Sequence, residues 1–306
     1  MTLIELIESS AQQLTNAQVS FGHGTSNAFD EAAWLVLWTL DLPLDTSVET
    51  LEDPPDSKAN MPVAPADIAR AATLLEARIT SRKPAAYLTR EAWLQGMAFY
   101  VDERCIVPRS LIAELLVNGG LDYWLNESTQ AVLDLCTGNG SLAVVAAVVY
   151  PEVVVTGSDL SADALAVALI NVRKYALQDR VALIESDGLE APGLQQRGPF
   201  DLIVCNPPYV NAQSMSELPP EYLAEPQLAL AGGADGMDFI RRLFTDAPGH
   251  MADGAVLVLE IGNERDHFEA AFPDLSVVWL QTSAGEDQVL LLTREALRAS
   301  AEKKKS

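Results

Sequence analysis

A chain of 306 residues with 49% hydrophobic content is long enough for one large or two ordinary domains and can bury a sizeable core. Its 43 acidic residues outweigh 20 basic ones, a formal charge of -23, which argues against a non-specific grip on nucleic acid, since that needs clustered Lys and Arg. Three cysteines lack the paired spacing of a zinc site or a disulfide framework, so no metal is expected. No uncharged apolar stretch approaches the roughly 18 residues of a membrane span. Met1–Glu8 has no basic segment ahead of its apolar residues, which speaks for the cytoplasm rather than secretion.

Residues 1 to about 90 are expected to form a helical domain. Apolar residues recur at helical spacing over Thr2–Gln13, Asp30–Leu40 and Pro65–Ser81, with Asp30 a candidate N-cap. Trp34 and Trp38, four apart on one helix, read as core packing. Leu51–Pro62 is polar and Pro-rich, a loop. Residues 91–109 are expected to make a linking β-hairpin, with strands over Ala92–Val101 and Glu103–Val107 that turn near Asp102. Across 110–298, alternating strand and helix patterns predict an α/β domain on a mostly parallel sheet. Its last strands, Val277–Leu280 and Gln288–Thr293, are close enough to pair antiparallel at one edge. Residues 299–306, with Lys303–Lys305, read as a flexible tail.

The sheet region places polar groups at the carboxyl ends of four successive strands, where open α/β sheets bind ligands. Ala131–Leu135 reads as a buried strand entering the turn Cys136-Thr137-Gly138-Asn139-Gly140 and then an apolar helix. The glycines permit positive φ and close backbone approach, and the helix aims its first N–H groups at whatever lies in the turn. The second strand, Val153–Asp159, ends in an acid 21 positions beyond Gly138, a spacing suited to the two hydroxyls of a ribose. Val181–Asp187 ends in another acid, placed for an adenine amino group.

The fourth strand, Phe200–Cys205, stops in Asn206-Pro207-Pro208-Tyr209. Neither proline has an N–H to donate to a ladder, and Asn206 is pushed to extended geometry by the proline after it. Such a lip suits an –NH2 group on a planar system. The Asn206 side-chain oxygen and the Pro207 carbonyl accept one N–H each, while Tyr209 covers the plane. A plain Pro-rich turn is the competing reading, and the glycine turn upstream speaks against it. A dinucleotide-binding turn is the rival there: the third glycine position holds Ala143, which that fingerprint tolerates. Asp134, however, would repel a pyrophosphate and suits a cationic amino or sulfonium group. S-adenosylmethionine accounts for Asp134, Asp159 and Asp187 together.

Asp134-Leu-Cys-Thr-Gly-Asn-Gly140 followed by Asn206-Pro207-Pro208-Tyr209 resembles the class I S-adenosylmethionine-dependent methyltransferases that act on glutamine side chains, the HemK-like group. The resemblance extends through Pro84–Leu88, Glu225–Asp238 and Glu260-Ile261-Gly262, nearly the whole chain. Phe21–Ala32 and Val107-Pro108-Arg109-Ser110 are similar to the branch that methylates large-subunit ribosomal protein L-three. A release-factor branch would instead read Pro-Arg-Pro followed by an acid, Thr and Glu, where this chain has Pro108-Arg109-Ser110-Leu-Ile-Ala-Glu114.

The resemblance implies methyl transfer to a glutamine amide nitrogen of that basic ribosomal protein, and the composition points to no membrane or nucleic-acid partner. Asn206, Pro207, Pro208 and Tyr209 are the expected catalytic lip, and Asn206, Pro207, Tyr209 and Arg109 the expected substrate contacts. For Arg109 a structural salt bridge fits the sequence equally well. S-adenosylmethionine is expected against Asp134, Cys136, Thr137, Gly138, Asn139, Gly140, Asp159, Asp187 and Asn206. Glu225-Pro226 would shape the loop over the target residue. His23, His250 and His267 read as surface or capping residues, although on the resemblance His23 and Asn27 would touch the protein substrate. The strong acidity suits a basic partner and serves solubility equally well. Alternatives are a release-factor substrate, a nucleobase amino-methyltransferase, which uses a similar lip on a flipped base, and a noncatalytic S-adenosylmethionine-binding scaffold.

Overall fold

A computed structural model describes residues 1–49 and 57–303; the first half of the expected Leu51–Pro62 loop and the last three residues of the expected tail lie outside the described residues. The chain divides into two compact units, Met1–Ala92 with Leu218–Glu225, and Trp93–Glu217 with Pro226–Ser306.

The first unit is helical. α1 (Leu3–Asn16) buries Leu3, Leu6, Ile7, Ser10 and Leu14, an i, i+3, i+4, i+7 stripe, and opens on a reciprocal capping box between Thr2 and Glu5. α2 (Ala28–Thr39) starts earlier than its apolar pattern suggests. Its N-cap is Asn27, whose Oδ1 accepts the Asp30 N–H at 3.0 Å, so Asp30 lies inside the first turn instead of capping it. Trp34 is buried, but Trp38 is 38% exposed and is not a core residue. α3 (Pro65–Ser81) has proline at its first position, where no N–H is needed. α4 (Ala85–Thr89) follows directly and buries Ala85, Ala86 and Tyr87. Leu218–Glu225, distant in sequence, packs with these helices.

β1 (Glu91–Leu94) and β2 (Met97–Tyr100) form the hairpin. It turns at Gln95-Gly96, both at positive φ, and not near Asp102. A two-residue turn of this hand matches strand twist, and glycine supplies its second position without strain. Glu103–Val107 is not a strand. Asp102 is instead buried and grips Arg104 through two side-chain hydrogen bonds of 2.8 and 2.6 Å.

The second unit is a seven-stranded sheet built from β3 (Ala131–Leu135), β4 (Val154–Asp159), β5 (Val181–Glu185), β6 (Phe200–Cys205), β7 (Met251–Glu260), β8 (Val278–Trp279) and β9 (Val289–Thr293) in the order β5-β4-β3-β6-β7-β9-β8. β3 to β7 pair in parallel, while β9 runs antiparallel to β7 and β8. Both faces are covered, so the central strands are largely apolar until their carboxyl ends. Val132, Leu202, Val204, Val256 and Val258 join α5 (Ile112–Val117) and α6 (Ser141–Val149) on one face. Their alternates Leu133, Ile203, Cys205, Leu257 and Leu259 join Ile240, Leu243 and Phe268 on the other. The helix Arg294–Lys303 continues through part of the expected tail. Among the described residues no helix is long and apolar enough to cross a membrane.

Replacing the cap should weaken the first unit: Asn27→Ala is expected to cost about 0.5–2 kcal/mol in chemical unfolding, and Asp30→Ala less. Equal losses would contradict Asn27 as the cap.

Candidate active site

The residues expected to carry chemistry converge where β3, β4 and β6 stop. Leu135 is in register with Ser158 of β4 and Cys205 of β6, so Cys136 lies between Asp159 and Asn206 at the carboxyl edge. A cavity of about 430 Å³ opens there, within the range of small-molecule sites. Cys136, Gly138, Asp159, Asp187, Asn206 and Pro208 line it; Asp134, Thr137, Asn139, Gly140, Pro207, Tyr209 and Arg109 do not.

The turn explains this division. Cys136, Gly138 and Gly140 all have positive φ, at 62°, 55° and 79°. A Cβ on Gly140 would stand 3.0 Å from that of Ala168, so this glycine serves close packing against α7 (Ala162–Lys174). A Cβ on Gly138 would meet nothing within 4 Å, so that glycine faces open space. Its N–H donates to Asp159 Oδ2 at 2.8 Å, and the Ser161 N–H donates to Oδ1 at 2.9 Å. Burial pushes the Asp159 carboxyl above its usual range. Each oxygen retains lone-pair capacity for a further donor.

Asp134 has a different place from the one its sequence position suggests. It is fully buried, and its Oδ2 accepts from Thr137 Oγ1 at 2.5 Å and from the Ala143 N–H at 2.9 Å. The carboxyl therefore ties the turn to the first turn of α6 instead of facing the cavity, and Oδ1 has no partner. Desolvation pushes its pKa up to about 7. Asn139 is likewise internal: Oδ1 accepts the Ser141 N–H, and its carbonyl accepts from buried Asn171 Nδ2 at 2.8 Å. Asp187, exposed at the cavity wall, is ion-paired with Arg242 at 3.0 Å. Cys205 is buried beside the Cys136 thiol, and both effects raise its pKa.

The lip is held by glycines. A Cβ on Gly262 would stand 2.6 Å from Tyr209 Cε2, so the Tyr209 ring lies over the Gly262 backbone and is not part of the cavity wall. Gly232 and Gly236 leave room for the Tyr209 backbone, which a Cβ would approach within 2.7 and 2.2 Å. Val210 then exchanges backbone hydrogen bonds with Leu230 and Gly232, both 2.9 Å. The mechanical role of these glycines was missed in the sequence, where they stood only as part of a resemblance. Arg109 donates to the Val107 carbonyl at 3.1 Å. Glu260, buried at the end of β7, accepts from Ser110 Oγ at 2.6 Å and the Leu111 N–H at 3.0 Å. Arg104, which also lines the cavity, carried no signal beyond its charge.

His23 is 1% exposed, too buried for a surface or substrate-contact role. Its ring packs at a tilt against Tyr222, centroids 4.3 Å apart, and Nε2 lies 3.5 Å from Glu225. His267 is exposed and meets Glu264 at 2.6 Å.

A family model described as the methyltransferase small domain matches residues 121–234. A ribosomal protein uL3 glutamine methyltransferase of Bordetella pertussis is 52% identical over 97% of this chain and 96% of its own length. Those of Burkholderia pseudomallei and Neisseria meningitidis are 51% and 46% identical, covering 98% and 97% of this chain and 97% and 94% of theirs. The chain belongs to this family. Among solved structures, the catalytic domain of hMettl16 in complex with an RNA hairpin superposes with a TM-score of 0.52 at 12% identity over 75% of this chain and 80% of that one, a likeness of fold alone.

In this methyltransferase the buried Asp134 should leave a pH signature. An acid held near 7 folds more readily protonated, so its ionisation costs stability as pH rises from the unfolded value, about 4, to about 7. The stability of wild type relative to Asp134→Asn is expected to fall across that window and level off above it. Parallel profiles would place the desolvation cost elsewhere.

Proposed function

We propose that the protein transfers a methyl group from S-adenosylmethionine to the side-chain amide nitrogen of a glutamine in ribosomal protein uL3. The observation that carries this reading is Asn206 on the wall of the same cavity as Gly138 and Asp159, in a chain related over nearly its full length to uL3 glutamine methyltransferases. The site fits the cofactor: open space at Gly138 admits a ligand against the turn, and Asp159 presents acceptors for ribose hydroxyls. Asp187 would receive the adenine amino group beside its Arg242 partner, and Asp134 acts by holding the turn. When bound, the cofactor would supply an electrophilic methyl group, its sulfur keeping the electron pair of the broken S–CH3 bond and leaving as S-adenosylhomocysteine.

An amide nitrogen is a poor nucleophile because its lone pair is delocalised into the carbonyl. Asn206 Oδ1, on the cavity wall, would accept one of its N–H bonds. The Pro207 carbonyl, next along the lip and outside the present wall, would accept the other once the substrate enters, turning the density above the amide plane toward the methyl donor. These acceptors also stabilise positive charge as it develops on nitrogen. Orientation of this kind can supply about 7–11 kcal/mol in favourable cases. Pro208 keeps the lip from continuing as a strand, and Tyr209, seated on Gly262, fixes its exit. The product proton passes to water, so no strong base is required. The setting is the cytoplasm, with the helical unit serving recognition of a basic protein.

Asn206→Ala is expected to lower kcat by about 10²–10³, by analogy with a lost oxyanion-hole donor, and to leave most cofactor affinity. Near-wild-type turnover would refute the lip's role. Asp159→Ala should weaken cofactor binding in calorimetry, because the ribose loses a charged acceptor; an unchanged Kd would reassign the ribose. Labelled methyl transfer to purified uL3, a release factor and nucleic acid, run side by side, tests the substrate, with uL3 expected to be preferred.

Attraction between this acidic chain and a basic substrate speeds encounter and is screened by salt. kcat/KM for uL3 is therefore expected to fall with ionic strength while cofactor affinity changes little. A salt-independent kcat/KM would leave the acidity a matter of solubility.

A further inference from the structure

The helical unit contains a set of buried charges that the proposed chemistry does not use. Arg78 is 0% exposed, and so is Glu221; Glu31 is 1% exposed. Arg78 Nε donates to Glu31 Oε1 at 2.8 Å, Nη1 to Glu221 Oε1 at 3.4 Å and Nη2 to the Ser20 carbonyl at 2.9 Å. The Ser20 N–H donates back to Glu221 Oε1 at 3.2 Å. Arg82 places Nε 2.8 Å from the same oxygen, a close charge contact without hydrogen-bond alignment, and spends its outer nitrogens on the Ala17 and Gln18 carbonyls. His23 packs at a tilt against Tyr222 and faces Glu225, and Gly22 leaves room for the Tyr222 hydroxyl, which a Cβ would approach within 2.4 Å.

Charges buried this deeply are costly to hold, and stability alone does not explain them, since apolar side chains of similar volume commonly do as well. What they hold is Leu218–Glu225, a strap that runs at its C-terminal end into the cavity wall and is joined at its N-terminal end to the lip through the short helix Ala212–Glu217. Eight residues before Leu218 stands Val210, just past the lip; immediately after Glu225, Pro226 begins a stretch in which Pro226, Leu228, Ala229, Ala231, Gly232 and Gly233 line the cavity. Val210 and Gly232 are themselves hydrogen-bonded, so the stretch from lip to wall is a closed loop with the strap at its far end.

We propose that Arg78 and Glu221 are positioning residues for methyl transfer: their buried ion pair anchors the strap, and the strap sets the lip-to-wall loop in the arrangement that orients the target amide. This rests on the proposed function. The helical unit would then act on catalysis through the chain itself, beyond any part in recognising the protein substrate. Misplacement of a reacting group by a change far from the chemistry is a recognised source of large rate losses.

Glu221→Gln keeps the shape and removes the charge. Leu75→Ala, which removes apolar packing from the core of the same unit and leaves its charged side chains in place, is the control, compared at matched thermal destabilisation. Arg82→Met, which removes a partly exposed member and leaves Arg78 with Glu31, is the second variant if Glu221→Gln does not fold. Amide hydrogen exchange at Val210 and Gly232, together with kcat on uL3, are the readouts. Glu221→Gln is expected to speed exchange at both amides and to lower kcat about 10- to 100-fold, with a smaller change in cofactor Kd, whereas Leu75→Ala changes neither. Arg82→Met should act in the same direction, less strongly. The proposal is overturned if the strap variants and Leu75→Ala behave alike, or if Val210 and Gly232 stay protected. Should the wild type fail to methylate uL3, the substrate reading falls, while the exchange comparison still decides whether the strap governs the loop.

Discussion

A sheet that is covered on both faces can meet a ligand only at its edges, and the reversal of strand order at β3 decides where. β4 and β5 are laid down to one side of β3, and the chain then crosses to place β6 and β7 on the other. The connections leave β3 and β6 in opposite directions, which opens a crevice at their carboxyl ends. Everything proposed for the site follows from that crevice. The turn after β3, the acid after β4 and the lip after β6 are far apart in sequence but neighbours in register.

Precision at this edge comes from backbone approaching backbone. The lip leaves β6 without a ladder to guide it, because its prolines cannot donate. Three glycines supply the missing constraint: Gly232 and Gly236 admit the Tyr209 main chain, and Gly262 admits its ring. A side chain at any of them would occupy the space that Tyr209 fills. The turn after β3 is fixed similarly, through Gly140 packed on Ala168 and through Asp134, which exchanges hydration for two hydrogen bonds to the turn and α6. Leaving Asp134 Oδ1 without a partner is costly in a buried position. That cost shows as the raised pKa.

The helical unit uses a different currency. Its helices are joined by apolar packing of α1 and α2, yet its centre also holds Arg78 with Glu31 and Glu221. An apolar core is tolerant of small shifts, whereas a guanidinium between two carboxylates and a carbonyl has few satisfactory arrangements. A strap held in this way has a defined place.

Local pattern and chemistry were readable from the residues alone. The helix over Pro65–Ser81 and the strand Phe200–Cys205 follow from periodicity and proline punctuation. The lip at Asn206 and the acid at Asp159 follow from the rule that strand ends carry chemistry, and both line the cavity. Direction and partnership were not readable. Asp134 and Asn139 occupy the expected turn but point inward, because a buried turn satisfies its own N–H groups before it serves a ligand. The hairpin turns at Gln95-Gly96, where only positive φ at both positions reveals it. Asn27, one side chain ahead of the apolar pattern, caps α2 in place of Asp30. Sequence thus determined which groups stand at the ends of which strands. Tertiary structure alone decided which of them face the cavity and that Leu218–Glu225 is held by Arg78 and Ser20, because those choices rest on contacts between residues as far as 201 positions apart.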